Sequence, residues 1–278
     1  MYKKILIKTW NEFHDIIENI KEKQCKGELP VIYRGLADAD NEKYKLSTTL
    51  ERYAPNSLFS ICDYASILKK CSPKVESFSG FNWNLPGDDE WKTKYSNNFE
   101  NIPESIYQLP FFEFWIHVRH LGFPSPLLDW SASPYIAAYF AFQKHFEEQN
   151  KTDYVAIYAY YIESKQNIKM YDTSTTQIRV FGEPEVRTHK RHYLQQTWYT
   201  LAYKKNNIKQ EDFISGYEDF LKMNNKQDVI IKIIIPRSER IPALKYLYEH
   251  NINQFSLMNS EDSLLATLAF EEFEINVQ

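Results

Sequence analysis

Glycine is scarce in this chain, with seven among 278 residues. Neither G-x-G-x-x-G nor G-x-x-x-x-G-K-[ST] occurs, which argues against a Rossmann or P-loop nucleotide fold. Cysteine is scarcer still. Cys25, Cys62 and Cys71 are odd in number and lack ligand-like spacing, so they point to a reducing compartment without disulfides or structural zinc. No set of His, Asp, Glu and Cys has metal-ligand spacing. The G-x-S-x-G turn of serine hydrolases is missing too. Apolar runs stay well short of the ~20 residues a membrane helix needs. MYKKILIKTW has too small an apolar core for a signal peptide and no cleavage site. A cytoplasmic protein without membrane contact is expected. A net charge of −4 and a pI near 6.0 deny the chain the global basicity of an electrostatic nucleic-acid binder. Basic residues gather only at Arg187–Thr188–His189–Lys190–Arg191–His192, as a phosphate-binding patch or a solvated helix face.

Aromatic residues, by contrast, are abundant. They make up 16% of the chain, with 20 Tyr and 18 Phe, and disorder is a poor description of such a composition. Trp10, Phe13, Ile16, Ile17 and Ile20 recur at helical spacing and predict an N-terminal helix over 1–26, ended by Gly27 and Pro30. Val31–Tyr33 reads as a short strand running into Arg34–Gly35. Residues of about 53–110 read as a helical or loop insertion or lid, because Ser77–Pro110 is rich in glycine, proline and asparagine. Helices are expected at about 103–120, 133–148, 211–224 and 238–250. Strands are expected at Tyr154–Ile162 and Val229–Ile235, both β-rich and apolar. A last helix spans Glu261–Phe273, with Ser260 as its N-cap. Strands and helices are interspersed without βαβ alternation. The expectation is therefore one α+β domain over 1–278, with a central mixed or antiparallel sheet and flanking helices.

The stretch His117–Phe142, HVRHLGFPSPLLDWSASPYIAAYFAF, stands apart. Its FPSPLLDW has neither helical nor strand period, yet carries a carboxylate and a tryptophan between two helices. It reads as a rigid binding loop, or as a buried loop whose Asp129 caps the next helix and whose Trp130 fills the core.

This stretch resembles the central signature of the FRG-domain family, roughly H-Y-G-x-P-T-R-L-L-D-W-T followed by a helix ending A-x-Y-F-A. The matching residues are His120, Gly122, Pro124, Leu127, Leu128, Asp129, Trp130 and Ser131, then Ala138, Tyr139, Phe140 and Ala141. Tyr33–Arg34–Gly35 matches the family's F-R-G. Leu46–Arg52 fits L-x-P-x-x-x-R, Arg191 and Gln195 fit R-x-x-x-Q, and INQFSLMNSEDSLLA fits the closing L-F-P-D-L-D-G-L-A. Three positions depart from the pattern. Pro126 replaces an arginine, Thr197 replaces a common glycine, and only Asp262 remains of two aspartates.

The Arg34 strand is in turn similar to the first strand of ADP-ribosyltransferases, where an arginine grips the diphosphate of NAD. Ser47–Thr48–Thr49 is similar to their second element, and Glu261 or Asp262 to their acidic residue. The resemblance implies an ADP-ribosyltransferase-like fold and NAD as substrate, with no metal. It implies a macromolecular acceptor, nucleic acid or protein, and a toxin or phage-defence role with an antitoxin or defence partner. An NAD glycohydrolase, or a non-catalytic module that recognises a nucleotide or nucleic acid, would use the same residues. Asp262, Glu261 and His120 are the catalytic candidates, and Tyr33, Arg34, Gly35, Asp129, Trp130, Arg191 and Gln195 are the binding candidates. Each has a structural alternative. Glu261 and Asp262 suit the first turn of any helix, His120 suits a helix end, and Arg34 suits an ion pair with Asp129.

Overall fold

The computed structural model describes residues 2–24, 30–39, 46–91, 111–144, 152–162, 176–182, 190–206, 211–217 and 228–276. Eight strands form one mixed sheet: β1 (Tyr2–Leu6), β2 (Ile32–Leu36), β3 (Leu127–Ser131), β4 (Tyr154–Ile162), β5 (Thr176–Phe181), β6 (Thr197–Asn206), β7 (Glu211–Ile214) and β8 (Asp228–Pro236). Their order is β1-β8-β4-β2-β3-β6-β5, with β7 also paired to β6. Only β1 and β8 run parallel; every other pair is antiparallel. The helices are α1 (Glu12–Gln24), α2 (Thr49–Tyr53), α3 (Ile61–Ser79), α4 (Asp88–Trp91), α5 (Phe112–His120), α6 (Pro134–Phe142), α7 (Lys190–Leu194), α8 (Arg240–Glu249), α9 (Gln254–Met258) and α10 (Glu261–Phe270). No helix among the described residues is long and apolar enough to cross a membrane. An α+β domain with a mixed sheet and flanking helices is what the sequence leads one to expect.

Three hydrophobic clusters pack this sheet: one on each half, and a third, with Ile32, Leu128, Trp130, Tyr158, Ala202 and Tyr217, across its middle. Phe13, Ile17, Ala138, Phe142, Ile157, Ile233 and Leu247 join α1, α6 and α8 to β4 and β8. Tyr64, Leu68, Phe114, Trp115, Tyr199 and Leu201 join α3 and α5 to β6. α6 is apolar on all sides, PYIAAYFAF, because it lies between the sheet and α8. Ser133 caps it, accepting the Ile136 N–H at 3.3 Å, and Pro134 fills the first turn.

The two halves meet at β2 and β3. β2 pairs with β4 over five residues, Ile32 to Leu36, but with β3 only through Tyr33 opposite Ser131. Beyond that one pair the strands splay. The functional site lies at this seam.

Several elements differ from expectation, for physical reasons. The N-terminal helix does not start at residue 1: Tyr2–Leu6 is an edge strand on β8, and α1 begins only at Glu12. The Glu12 carboxylate accepts the N–H groups of Lys8 and Thr9, both at 3.1 Å, and fixes that start. LLDWS is a strand rather than a loop. Four of its five residues are buried, so no alternation of polar and apolar residues marks it. Residues 211–214 form a strand where a helix of 211–224 is expected, because they pair with Tyr203–Asn206; 218–227 lie outside the described residues. Of the expected insertion or lid, α3 puts Ile61, Tyr64, Ala65 and Leu68 into the second core, and 92–110 lie outside the described residues. So do Cys25, Arg187–Thr188–His189, and the ends of two expected helices at 103–110 and 145–148.

Candidate functional site

Gly35 determines how closely α6 approaches the seam. A Cβ there would lie 1.9 Å from the Ala137 carbonyl oxygen and 2.8 Å from the Ala141 nitrogen. Only glycine lets helix and strand meet this closely. The neighbouring residue, Arg34, points to the other face of β2 and reaches across the gap, its Nη1 donating to the Asp129 carbonyl oxygen at 2.6 Å. That is the one hydrogen bond its side chain makes among the described residues, and its Nε is buried without a partner.

The Asp129 carboxylate is not the partner of Arg34. Arg119, on α5, takes both oxygens, with Nε to Oδ1 and Nη2 to Oδ2 each at 2.5 Å. The Arg119 side chain is 8% exposed and that of Asp129 38%. Thr49 supports the pair. Its hydroxyl accepts from Arg119 Nη1 at 3.4 Å and from the Ser125 N–H at 2.8 Å. Burial pushes the Asp129 carboxyl up, but the Arg119 guanidinium outweighs it, with help from Arg34 and His120, and holds the group below the usual carboxylate range. Burial pushes the Arg34 guanidinium down to about 10; Asp129 opposes this, while Arg119 and Arg52 add to it. Among the described residues one carboxylate serves the buried Arg119 and the part-buried Arg34, so the seam has a surplus of positive charge.

A cavity of about 260 Å³ opens here, between β2, β3, α6 and the α7–β6 corner. Tyr33, Arg34, Gly35, Asp129, Trp130 and Gln195 line it, six of the residues singled out from sequence. Ser131, Thr197, Phe140 and Gln143 complete its polar and aromatic wall. Two of the lining residues, Arg34 and Thr197, carry a buried side-chain atom with no partner among the described residues, Arg34 Nε and Thr197 Oγ1; the Tyr33 hydroxyl, also without one, lies towards Glu18 and Tyr135. Buried polar groups are nearly always paired, so two such atoms on residues of one cavity wall set it apart.

The binding candidates gather by different routes. Trp130 is held rigidly, its Nε1 donating to Thr200 Oγ1 at 2.8 Å, and Thr200 meets Tyr217 Oη at 2.5 Å. Gln195 follows α7 and donates to the Leu257 carbonyl of α9 at 3.2 Å. Ser131 Oγ donates to the Gln195 carbonyl at 2.8 Å and ties that corner to β3. Arg191 sits on α7 and does not line the cavity.

The catalytic candidates lie elsewhere. His120 Nε2 is hydrogen-bonded to Tyr199 Oη at 3.1 Å, and His192 Nδ1 meets the same hydroxyl at 3.0 Å. Glu261 and Asp262 are exposed in the first turn of α10, capped by Ser260, and neither lines the cavity. Thr48 and Ser47 have local duties: Thr48 caps α2 in a capping box with Glu51, and Ser47 accepts from Arg52.

Sequence reading missed Arg119 and gave Thr197 no role beyond replacing a glycine. A signal existed for Arg119: it is the single arginine of the largely aromatic helix FEFWIHVRH, one residue before His120. The cation expected at Pro126 is absent there, and α5 supplies one to Asp129 instead.

A model of the FRG domain matches residues 30–150. The match takes in Tyr33–Arg34–Gly35, Leu46–Arg52 and His120–Ala141, and stops before Arg191, Gln195 and the C-terminal motif. No curated protein and no solved structure matches the chain. Motif and match thus coincide on the strands and helices that build the seam, and the chain carries an FRG domain at residues 30–150.

Proposed function

We propose that the cavity at the seam holds the phosphates of a nucleotide, and that the protein is an NAD-dependent ADP-ribosyltransferase-like enzyme acting on a macromolecular acceptor. One observation carries this reading: a part-buried, under-compensated guanidinium, Arg34, with an unpaired Nε, and the unpaired hydroxyl of Thr197, on residues that line one cavity. A planar fork with spare donors suits a bidentate phosphate oxyanion better than an ammonium would. At about 260 Å³ the space lies just below the range of roughly 300–1,000 Å³ usual for small-molecule sites, enough for the phosphate-bearing part of a dinucleotide.

In the reaction, the C1′–N bond to nicotinamide breaks and its electron pair leaves with the ring. An oxygen or nitrogen of the acceptor attacks C1′ and gives up its proton. Oxocarbenium character develops at C1′, and a carboxylate nearby stabilises it. Among the described residues Asp129 is the one carboxylate lining the cavity, held ionised by Arg119. Water as acceptor would make the protein a glycohydrolase. A toxin or defence role, with a partner protein that restrains it, belongs to the same reading.

A second reading, a nucleotide-recognition module without turnover, draws on the same carboxylate. Both Asp129 oxygens are spent on Arg119, and Glu261 and Asp262 lie away from the cavity.

The test is mass spectrometry of the purified protein incubated with NAD, with and without RNA, DNA and protein from a cell extract. Nicotinamide release that disappears in folded Arg34→Ala is expected, with ADP-ribose appearing on one polymer. Arg34-dependent binding without release selects the recognition module. If NAD neither binds nor turns over, both readings fall.

A further inference from the structure

A second, larger cavity of about 560 Å³ lies beyond α6, enclosed by α6, α8, the start of α9, α10 and the π-helical turn Glu271–Ile275. Its wall differs in kind from the first. Tyr139, Tyr248 and Phe270 present aromatic rings, the last two with centroids 6.4 Å apart. Among the described residues its one cation, Arg240, is neutralised by a two-pronged pairing with Glu274, and its Nε donates to the Phe142 carbonyl at 3.1 Å. The small cavity carries surplus positive charge; the large one is aromatic and electrically balanced.

The two cavities are neighbours. Gln143, at the end of α6, lines both. Tyr139 faces the large cavity and Phe140 the small one, from adjacent positions on the same helix. α9 spans the same interval: Asn253 and Gln254 at its start line the large cavity, while its Leu257 carbonyl accepts from Gln195, which lines the small one.

We infer that the two cavities form one bipartite nucleotide site, in which the larger takes the planar heterocyclic base of the ligand whose phosphate lies at Arg34. The assignment rests on the phosphate reading of the smaller cavity and extends it. Charge complementarity divides the ligand: phosphate belongs beside an under-compensated guanidinium, and a flat neutral ring belongs among tyrosine and phenylalanine faces. Gln143, an amide with donors and an acceptor, stands where the sugar joins the two parts.

Calorimetric titration with inorganic pyrophosphate, ADP and nicotinamide mononucleotide separates the two claims. Ala269 lines the large cavity from an exposed position on α10, so Ala269→Trp fills the cavity from its rim; Tyr248→Ala removes one of the rings. Each variant should leave pyrophosphate binding unchanged and weaken ADP or nicotinamide mononucleotide at least about tenfold; the nucleotide affected identifies the base. If folded Ala269→Trp and Tyr248→Ala both bind the two nucleotides as the parent does, the base subsite is overturned while the phosphate site stands. Pyrophosphate binding that is absent, or indifferent to Arg34→Ala, overturns the phosphate site and the bipartite site with it.

Discussion

Arg119 and Asp129 form a two-pronged ion pair across the base of the seam, Nε to Oδ1 and Nη2 to Oδ2 both at 2.5 Å. The pairing explains why Arg34, the arginine named by the sequence motif, keeps donor capacity for a ligand. Asp129→Asn would leave Arg119 buried beside a neutral amide. Discounted for the partial exposure of Asp129, a loss of about 2 kcal/mol is expected in urea unfolding. The pH dependence has a definite sign. Because the folded carboxyl sits below its ordinary value, the pair's stabilisation is full above the unfolded value of about 3.9 and disappears as pH falls through the folded one. Stability of Asp129→Asn should therefore fall less steeply than the parent's below about pH 4; equal slopes would remove Asp129 from the acid response.

Two buried threonines on β6 should behave oppositely. Thr197 Oγ1 has no partner, whereas Thr200 Oγ1 accepts from Trp130 and meets Tyr217. Thr197→Val exchanges an unsatisfied hydroxyl for a methyl and should raise stability by about 1 kcal/mol while weakening nucleotide binding. Thr200→Val strands an indole N–H and a phenol and should cost about 2 kcal/mol. Denaturation midpoints and titrations on both variants decide it, and a destabilised Thr197→Val would mean that its hydroxyl has a structural duty.

Gly35→Ala places a methyl against the backbone of α6, which a side-chain rotation cannot relieve. A loss of at least about 3 kcal/mol is expected, since helix and strand must separate. A thermal melt close to that of the parent would show that α6 is free to shift.

Arg34→Lys keeps the charge and loses the planar fork. Stability should hold, because the native side chain makes one hydrogen bond to a carbonyl, which an ammonium also satisfies. Pyrophosphate affinity should drop about tenfold or more. Unchanged affinity in a salt titration would reduce the site to a point charge.

Much of this was legible in the chain itself. The runs YVAIYAYYI and VIIKIIIP declare β4 and β8, because β-branched and aromatic residues pack well on a pleated surface and proline stops the second. Ser133 and Ser260 announce their helices, since a hydroxyl can satisfy a free N–H at the first turn without distant help. Tyr33–Arg34–Gly35 marks the end of one strand of the seam. Local chemistry and motif suffice for such features.

Tertiary structure decided what depends on partners far apart in sequence. LLDWS is a strand because β6 pairs with it, residues 197–201 against 127–131, and burial on both faces erases the period that would have shown it. EDFI is a strand because Tyr203–Asn206 lies alongside. Asp129 chose Arg119 over Arg34 because α5 delivers a guanidinium to its carboxylate, while the splay of β2 from β3 leaves Arg34 within reach of only the carbonyl. The union of Tyr33, Asp129 and Thr197 in one wall is likewise a matter of register, which no local stretch of sequence encodes.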